Sequence, residues 1–215
     1  MLPFSAAVLF FVESADPNEV TACVAARRAS GVITSAALVA EAARRAGREP
    51  RDLLREICGA VNGPVGLEIA HDGDDRDGML REARDWAEAA GNVIVALPAT
   101  EVGIDVIRAC AAARIRTGVA VYPSPEQALA AGRAGAAQVW APFDRVSGAD
   151  PGDGIRKLTA LLRTFDLRTE VVVRAIRSSG DIVDAALAGA QAIAAPPAVL
   201  RELDADSAAR AGGPG

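Results

Sequence analysis

The sequence predicts an α/β fold, a single-domain (β/α)8 barrel of the TIM type, from three observations. Strand-like apolar runs alternate with helix-like amphipathic stretches along the chain, which is typical of a parallel sheet with right-handed crossovers. Eight such runs can be assigned, and eight parallel strands close a barrel. The chain has 215 residues, 51% hydrophobic but only 4% aromatic, as expected for buried strands of Ala, Val, Ile and Leu.

The predicted strands are short apolar segments separated by helical stretches. They cover residues 8–13, 31–35, 65–70, 92–97, 117–122, 138–141, 170–176 and 192–195. An open doubly wound sheet is the alternative architecture, but no glycine-rich phosphate-binding turn follows the first strand. The barrel is therefore the favoured prediction.

Helix starts support the same frame. Asp16-Pro-Asn-Glu19 offers an N-cap followed by a proline at the first helical position, and Ser124-Pro-Glu-Gln127 repeats that pattern. Two helical stretches, 36–46 and 50–61, lie between the second and third strands, one more than a plain eightfold repeat needs. We expect the barrel to cover residues 1–203 and residues 204–215 to form a disordered tail, because the tail lacks periodicity.

Composition excludes several partners. With 23 basic and 28 acidic side chains the net charge is −5. The sequence has no long basic run, so nucleic acid and an anionic membrane are not expected as partners. The apolar opening lacks a charged start and meets Glu13, so we interpret it as a first strand and expect a cytoplasmic protein. We predict that the three cysteines, Cys23, Cys58 and Cys110, are reduced and packed as small hydrophobes.

Several segments resemble the small transaldolase and fructose-6-phosphate aldolase family. The segment Phe10–Ala15 is similar to the family's F-F-L-D-T-A motif. Gly31–Ala36 is similar to G-V-T-T-N-P, and Asn92–Thr100 is similar to N-V-V-V-K-I-P-x-T. Residues 128–135 with Pro142-Phe143, then 185–190 and 196–200, continue the match in the same order. The resemblance implies a (β/α)8 barrel that acts on sugar phosphates through a lysine Schiff base.

The resemblance places Ala96 where the family has its Schiff-base lysine. Imine chemistry needs a primary amine, and the chain's single lysine, Lys157, falls in a predicted surface helix. Ser35 replaces the second-strand Asn, and a strand-five hydroxyl position becomes Val119 or Ala120. Thr34, Ser35 and Ala96 are thus expected as substrate contacts in a site that lacks the imine-forming group.

Two carboxylates remain at positions that the resemblance marks as functional. Glu13 stands for the first-strand proton-transfer Asp, and Glu68 matches the strand-three residue that orients the catalytic water. Side chains alternate along a strand, so if Ala96 faces the interior, Gly66, Glu68 and Ala70 share one face. A carboxylate in an apolar barrel is a plausible general acid or base; the alternative is that backbone donors or an arginine hold each one for structural reasons.

The resemblance also implies a phosphate site at Arg145 and Arg177, which follow the sixth and seventh strands. Guanidinium forks suit phosphate oxygens, and barrels often bind phosphate near strands seven and eight. The alternative is two solvated arginines. With Ala175 taken as the interior residue, alternation turns Arg174 outward, and we expect it to form an ion pair with a helix.

Three further side chains are candidates. His71, the only histidine, follows strand three beside Asp72, Asp74 and Asp75 and could poise a base or hold a metal at the barrel rim. Tyr122 ends strand five and could act as an acid or a ligand donor. Trp140 is a candidate wall of the pocket. One histidine is a weak metal signal, so we predict neither a metal nor another cofactor.

The sequence favours a divergent transaldolase-like enzyme that binds a phosphorylated sugar or similar small polar substrate and uses carboxylate acid–base chemistry. The alternative is a catalytically inactive member retained as a binding or interaction partner. Because the tail offers no apolar stripe, we expect a monomer or small homo-oligomer, with a dimer through outer helices favoured.

Overall fold

The computed structural model describes residues 8–71, 74–120, 124–143 and 151–211, with the backbone alone for Pro151 and residues 205–211. Eight parallel strands, β1 to β8, pair in chain order and β1 pairs with β8, so the sheet is a closed barrel. This confirms the predicted (β/α)8 fold. The strands are β1 Leu9–Glu13, β2 Gly31–Ser35, β3 Val65–Glu68, β4 Val93–Pro98, β5 Thr117–Ala120, β6 Gln138–Pro142, β7 Glu170–Arg174 and β8 Ala192–Ala195.

Helices cover the outside of the barrel, with two of them between β2 and β3 as predicted. They are α1 Pro17–Ala25, α2 Ala36–Ala46, α3 Pro50–Gly59, α4 Arg76–Ala87, α5 Glu101–Ala112, α6 Pro125–Ala134, α7 Pro151–Thr164, α8 Ser179–Leu187 and α9 Pro197–Ala211. Asp16 caps α1 by accepting from the Asn18 N–H. Ser124 occupies the N-cap position of α6 without a side-chain capping bond; its hydroxyl donates to Glu126 instead.

Several elements end at residues other than the predicted ones. β3 and β7 end at Glu68 and Arg174, two residues earlier than expected. α9 continues to Ala211, eight residues beyond the predicted end of the ordered chain at Leu203. Residues 204–211 carry no glycine or proline and are rich in alanine, the best helix former, so the helix does not stop until the glycines that follow.

Two apolar cores lie on opposite faces of the sheet. The larger core joins the outward faces of the strands to the helices. The smaller core fills the barrel interior and consists of Phe11, Ile33, Ala96, Trp140, Val172, Ala192 and Ala194. Trp140 is fully buried, and a Cβ on Gly66 would come within 2.4 Å of its ring. The indole therefore plugs the barrel and forms the floor beneath its mouth, rather than a side wall.

No helix among the described residues is long and apolar enough to cross a membrane.

The three cysteines are buried and free, and burial raises the pKa of the Cys58 thiol to about 11. Both findings agree with the interpretation of these thiols as packed small hydrophobes.

Candidate active site at the barrel mouth

Alternation along the strands brings three charged side chains to the top of the barrel interior. Phe11 and Val172 lie in the interior core, so Glu13 and Arg174, two positions further along the same strands, face the same way. Glu13 comes from β1, Glu68 from β3 and Arg174 from β7. Parallel registers align Glu13 with Ile33 and Glu68 with Ala96. The charged groups thus lie at the carboxyl ends of the strands, where barrel enzymes hold their active sites.

Arg174 joins the two carboxylates. Its Nη1 donates a hydrogen bond to Glu68 Oε2 at 2.8 Å, and its Nε lies 3.8 Å from Glu13 Oε1. The guanidinium carbon lies 6.0 Å from the centre of the Trp140 ring, within the range of a cation–π contact. One cation therefore serves two carboxylates above an aromatic floor.

Glu13 is the carboxylate with the poorer set of partners. Its Oε1 is buried and has no hydrogen-bond partner among the described residues. Burial raises the pKa of Glu13, and the charge of Arg174 and a hydrogen bond from the Ala175 N–H offset that effect only in part. A carboxyl group with a raised pKa exchanges its proton closer to neutral pH, which suits general acid–base chemistry.

The position of Arg174 corrects the sequence-based expectation that it faces outward. β7 ends at Arg174, and Ala175 adopts φ 61°, in the left-handed region, which costs a non-glycine residue about 1–2 kcal/mol. The strand alternation therefore ends before Ala175, and Arg174 shares the interior face of Val172. The left-handed turn also aims the Ala175 N–H at the Glu13 carboxylate. Backbone strain of this kind often occurs at functional sites.

A cavity of about 290 Å³ opens beside this cluster at the ends of β3, β4 and β5. Its walls combine apolar surface with a few polar groups, as small-molecule sites usually do. The residues that line it are Glu68, Ile69, His71, Ala96, Pro98, Ala99, Thr100, Ala120 and Gln127. Ala96 and Ala120 have small side chains, so the cavity reaches down to the sheet where a lysine at position 96 would stand.

The two candidate residues on β2, Thr34 and Ser35, lie in different surroundings. Ser35 aligns with Glu68 in register, and its Oγ accepts from the Leu38 N–H to cap α2. Thr34 is buried on the opposite face of β2 from interior Ile33, and its Oγ1 has no hydrogen-bond partner in the described chain. Alternation thus directs Thr34 to the helix side, and the structure does not bring it to the cavity. On β5, Val119 belongs to the helix-facing core and Ala120 lines the cavity, which settles the open registration.

His71 is held at the rim of the cavity by a residue that sequence reasoning missed. Its Nδ1 lies 2.5 Å from Glu82 Oε2 on α4. Glu82 also accepts from the N–H groups of Ala70 and His71 and from Trp86 Nε1. Burial by itself would raise the pKa of Glu82, but these hydrogen bonds outweigh it and hold the pKa below its usual range.

The other candidates are less central. Arg177 is exposed on the loop between β7 and α8, where its backbone N–H donates to Asp181. Lys157 is exposed on α7, as predicted. Tyr122 and Arg145 lie outside the described residues. In the part of the chain that the structure describes, no three His, Cys, Asp or Glu side chains converge as metal ligands.

Fold and site together define a (β/α)8 barrel with two carboxylates and an arginine clustered at its mouth. The model of the transaldolase/fructose-6-phosphate aldolase family matches residues 11–212, and the chain belongs to that family. A protein named "Probable transaldolase" from Hyphomonas neptunium is 35% identical over 197 residues, covering 90% of this chain and 88% of the relative. Another of that name, from Rhodospirillum centenum, is 37% identical over 199 residues, covering 90% and 83%.

Solved structures support the fold. Thiamine phosphate pyrophosphorylase from Pyrococcus furiosus superposes with a TM-score of 0.56 at 20% identity, covering 90% of this chain and 87% of that one. At that identity the likeness shows the barrel alone. Family membership places the protein on a sugar-phosphate-processing, aldolase-type scaffold, and its chemistry has to be argued from its own residues.

Proposed function

We propose that this protein binds a phosphorylated sugar or a similar small polar substrate at the barrel mouth and transforms it by carboxylate acid–base chemistry, without a Schiff base. The observation that carries the proposal is the cluster of Glu13, Arg174 and Glu68 beside a cavity floored in part by Ala96. The family resemblance supplies the substrate class. The cluster supplies a proton-transfer group where the amine is missing.

Each member of the cluster has a distinct part in this mechanism. Glu13, whose pKa is raised by burial, takes a proton from the substrate carbon next to a carbonyl and can return it. The electron pair left on that carbon moves onto the carbonyl oxygen to give an enediolate, and the fixed guanidinium of Arg174 stabilises the negative charge. Glu68 lines the cavity and orients a water molecule or a substrate hydroxyl.

The substrate's phosphate is expected at the rim, between Arg145 and Arg177. Arg177 precedes Ser178, the N-cap of α8, so the helix dipole adds to its positive charge there. A charge-assisted hydrogen bond to phosphate contributes about 1.5–3 kcal/mol. Millimolar phosphate should therefore raise the Tm of the wild-type protein. A rise of the same size in an Arg145→Ala, Arg177→Ala double variant would contradict this assignment.

Solvent deuterium exchange tests the chemistry. The protein is incubated in D2O with ketose phosphates such as fructose 6-phosphate, and proton NMR follows the carbon-bound hydrogens next to the carbonyl. We expect their loss with wild-type protein and a rate lowered on the order of 100-fold in Glu13→Gln, since general acid–base groups contribute about 10²–10⁴-fold. Arg168→Met, which changes an exposed residue before β7, is the matched control. Equal rates in wild type and Glu13→Gln would exclude Glu13 as the proton-transfer group.

A second candidate function is a catalytically inactive transaldolase-like protein that acts as a binding or interaction partner. It is favoured by the pairing of Arg174 with both carboxylates, which is also what a structural ion cluster would show. Calorimetric titration with sugar phosphates separates the two, because a scaffold used only for protein contacts has no reason to keep such affinity.

We also expect a monomer or small homo-oligomer. Light scattering should give the mass of one or two 22.0 kDa chains. A mass near ten chains would contradict that expectation.

A further inference from the structure

The rim of the cavity holds a second arrangement with the geometry of an acid–base pair. His71 is the only histidine of the chain, and its Nδ1 contacts Glu82 Oε2 at 2.5 Å. A histidine whose one ring nitrogen is held by a carboxylate keeps its other nitrogen in a fixed direction and tautomer. His71 also lines the cavity that contains Glu68.

Glu82 is built to hold the ring and has little freedom to do anything else. One of its oxygens accepts from the Ala70 N–H at 2.8 Å and from Trp86 Nε1 at 3.1 Å. The other accepts from the His71 N–H at 3.0 Å and contacts the His71 ring. A carboxylate that accepts from three fixed N–H donors stays ionised, and an ionised carboxylate requires the proton of a neutral imidazole to lie on Nδ1.

Gly78 makes room for the ring. A Cβ at this position would come within 2.8 Å of His71 Cδ2 and 2.1 Å of Asp75 Oδ2. Glycine costs about 1 kcal/mol relative to alanine inside a helix, and Gly78 lies in the first turn of α4. The space that the glycine leaves is occupied by the imidazole and by the Asp75 carboxylate, whose Oδ2 lies 3.9 Å from His71 Nε2.

We propose that His71 is a further acid–base group of this site, with Nε2 as the reacting atom and Glu82 as the residue that positions it. Resting on the proposed function, the step is a proton transfer at a substrate hydroxyl in the cavity. The O–H bond breaks, its electron pair stays on the substrate oxygen, and the proton forms the second N–H bond of the ring. The imidazolium is then paired with Glu82, and the reverse transfer returns the proton.

Nitrogen-15 NMR tests the arrangement without any substrate. In tag-free, ¹⁵N-labelled protein, long-range ¹H–¹⁵N correlations come from His71 alone. At a pH where the ring is neutral, we expect Nδ1 to carry the proton in wild type and in Glu88→Gln, which changes an exposed residue at the end of the same helix. Glu82→Gln should move the population towards the Nε2–H form, and Gly78→Ala should change both shifts. Wild-type protein with the proton on Nε2 would overturn the proposal.

Carbethoxylation by diethyl pyrocarbonate then tests whether Nε2 acts as a free base. Wild type should react at His71 at least as fast as free histidine, and saturating fructose 6-phosphate should slow the reaction about tenfold or more. Failure of the wild-type ring to react would contradict a base open to the cavity. These two measurements decide the state of His71 even if no exchange activity is found.

Deuterium exchange supplies the functional arm. If wild type exchanges substrate hydrogens, His71→Gln should lower the rate on the order of 100-fold while sugar-phosphate binding changes less than threefold. An unchanged rate would overturn the role of His71 and leave the proposed function standing. A wild-type protein that binds sugar phosphates but exchanges no hydrogens would overturn the proposed function. In that case, slower carbethoxylation of His71 in the presence of the sugar phosphate would still show that Nε2 lies at the bound ligand.

Discussion

Glu13 in the barrel interior and Glu82 at the rim are both partly buried carboxylates, but their surroundings shift their pKa values in opposite directions. Glu82 accepts from three N–H donors and contacts the His71 ring, and its pKa lies below the usual range. Glu13 has a buried oxygen without a hydrogen-bond partner in the described residues, and its pKa is raised. The number of donors therefore distinguishes a carboxylate that positions a neighbour from one that can exchange a proton.

The largest expected effect follows removal of the cation between the interior carboxylates. Arg174→Met should lower the free energy of unfolding by about 2–3 kcal/mol at neutral pH, because two partly buried carboxylates lose their partner, an effect moderated by their partial exposure. Denaturant unfolding measures it. The exposed control Arg168→Met should change stability by about 0.5 kcal/mol or less.

Acid should remove most of the Arg174→Met effect. A protonated carboxyl group is neutral and needs no counter-charge. An Arg174→Met loss of the same size at acidic and neutral pH would show that packing against Trp140, instead of charge, explains the role of Arg174.

The next effect concerns the rim. Glu82→Gln should cost about 1–2 kcal/mol at neutral pH, because one amide oxygen cannot serve the three N–H donors and the amide N–H₂ opposes the backbone N–H groups. The pKa of Glu82 is lowered by folding, so its contribution to stability is present above the unfolded-state pKa and is lost as pH falls through the folded-state pKa.

Unfolding curves across acidic and neutral pH therefore test the rim. Wild type and Glu82→Gln should converge in acid, whereas Glu88→Gln, which removes only the exposed ion pair with Arg51, should differ from wild type by about 1 kcal/mol or less throughout. A gap that widens as pH falls would contradict an ionised Glu82.

The smallest effect should have the opposite sign. The pKa of Glu13 is raised by folding, so its contribution to stability is greatest below the unfolded-state pKa and is lost as pH rises through the folded-state pKa. The stability of Glu13→Gln relative to wild type should thus improve as pH rises above the ordinary carboxyl range. If the variant instead becomes relatively less stable with rising pH, Glu13 is held ionised like Glu82, and the contrast between the two carboxylates fails.

The sequence predicts the strands well because Gly, Pro and Asp mark their ends. It does not predict the orientation of Arg174, since Val171, Val172 and Val173 are all fully buried and a uniformly apolar strand gives alternation no contrast between its two faces. The left-handed Ala175 carries no sequence signal either. Glu82 is missed for another reason. It lies eleven residues after His71 on the following helix, whereas the sequence places aspartates directly beside His71.

The central claim is that the site works without an imine, and borohydride trapping tests it most directly. Wild-type protein is reduced in the presence of dihydroxyacetone or fructose 6-phosphate, and peptide mass spectrometry locates any adduct. Ala96→Lys, which restores an amine at the cavity floor, is the positive control and should form some adduct. We predict no reduced adduct on wild-type protein, whereas a substrate-dependent adduct on Lys157 would contradict both the assigned positions and the proposed chemistry.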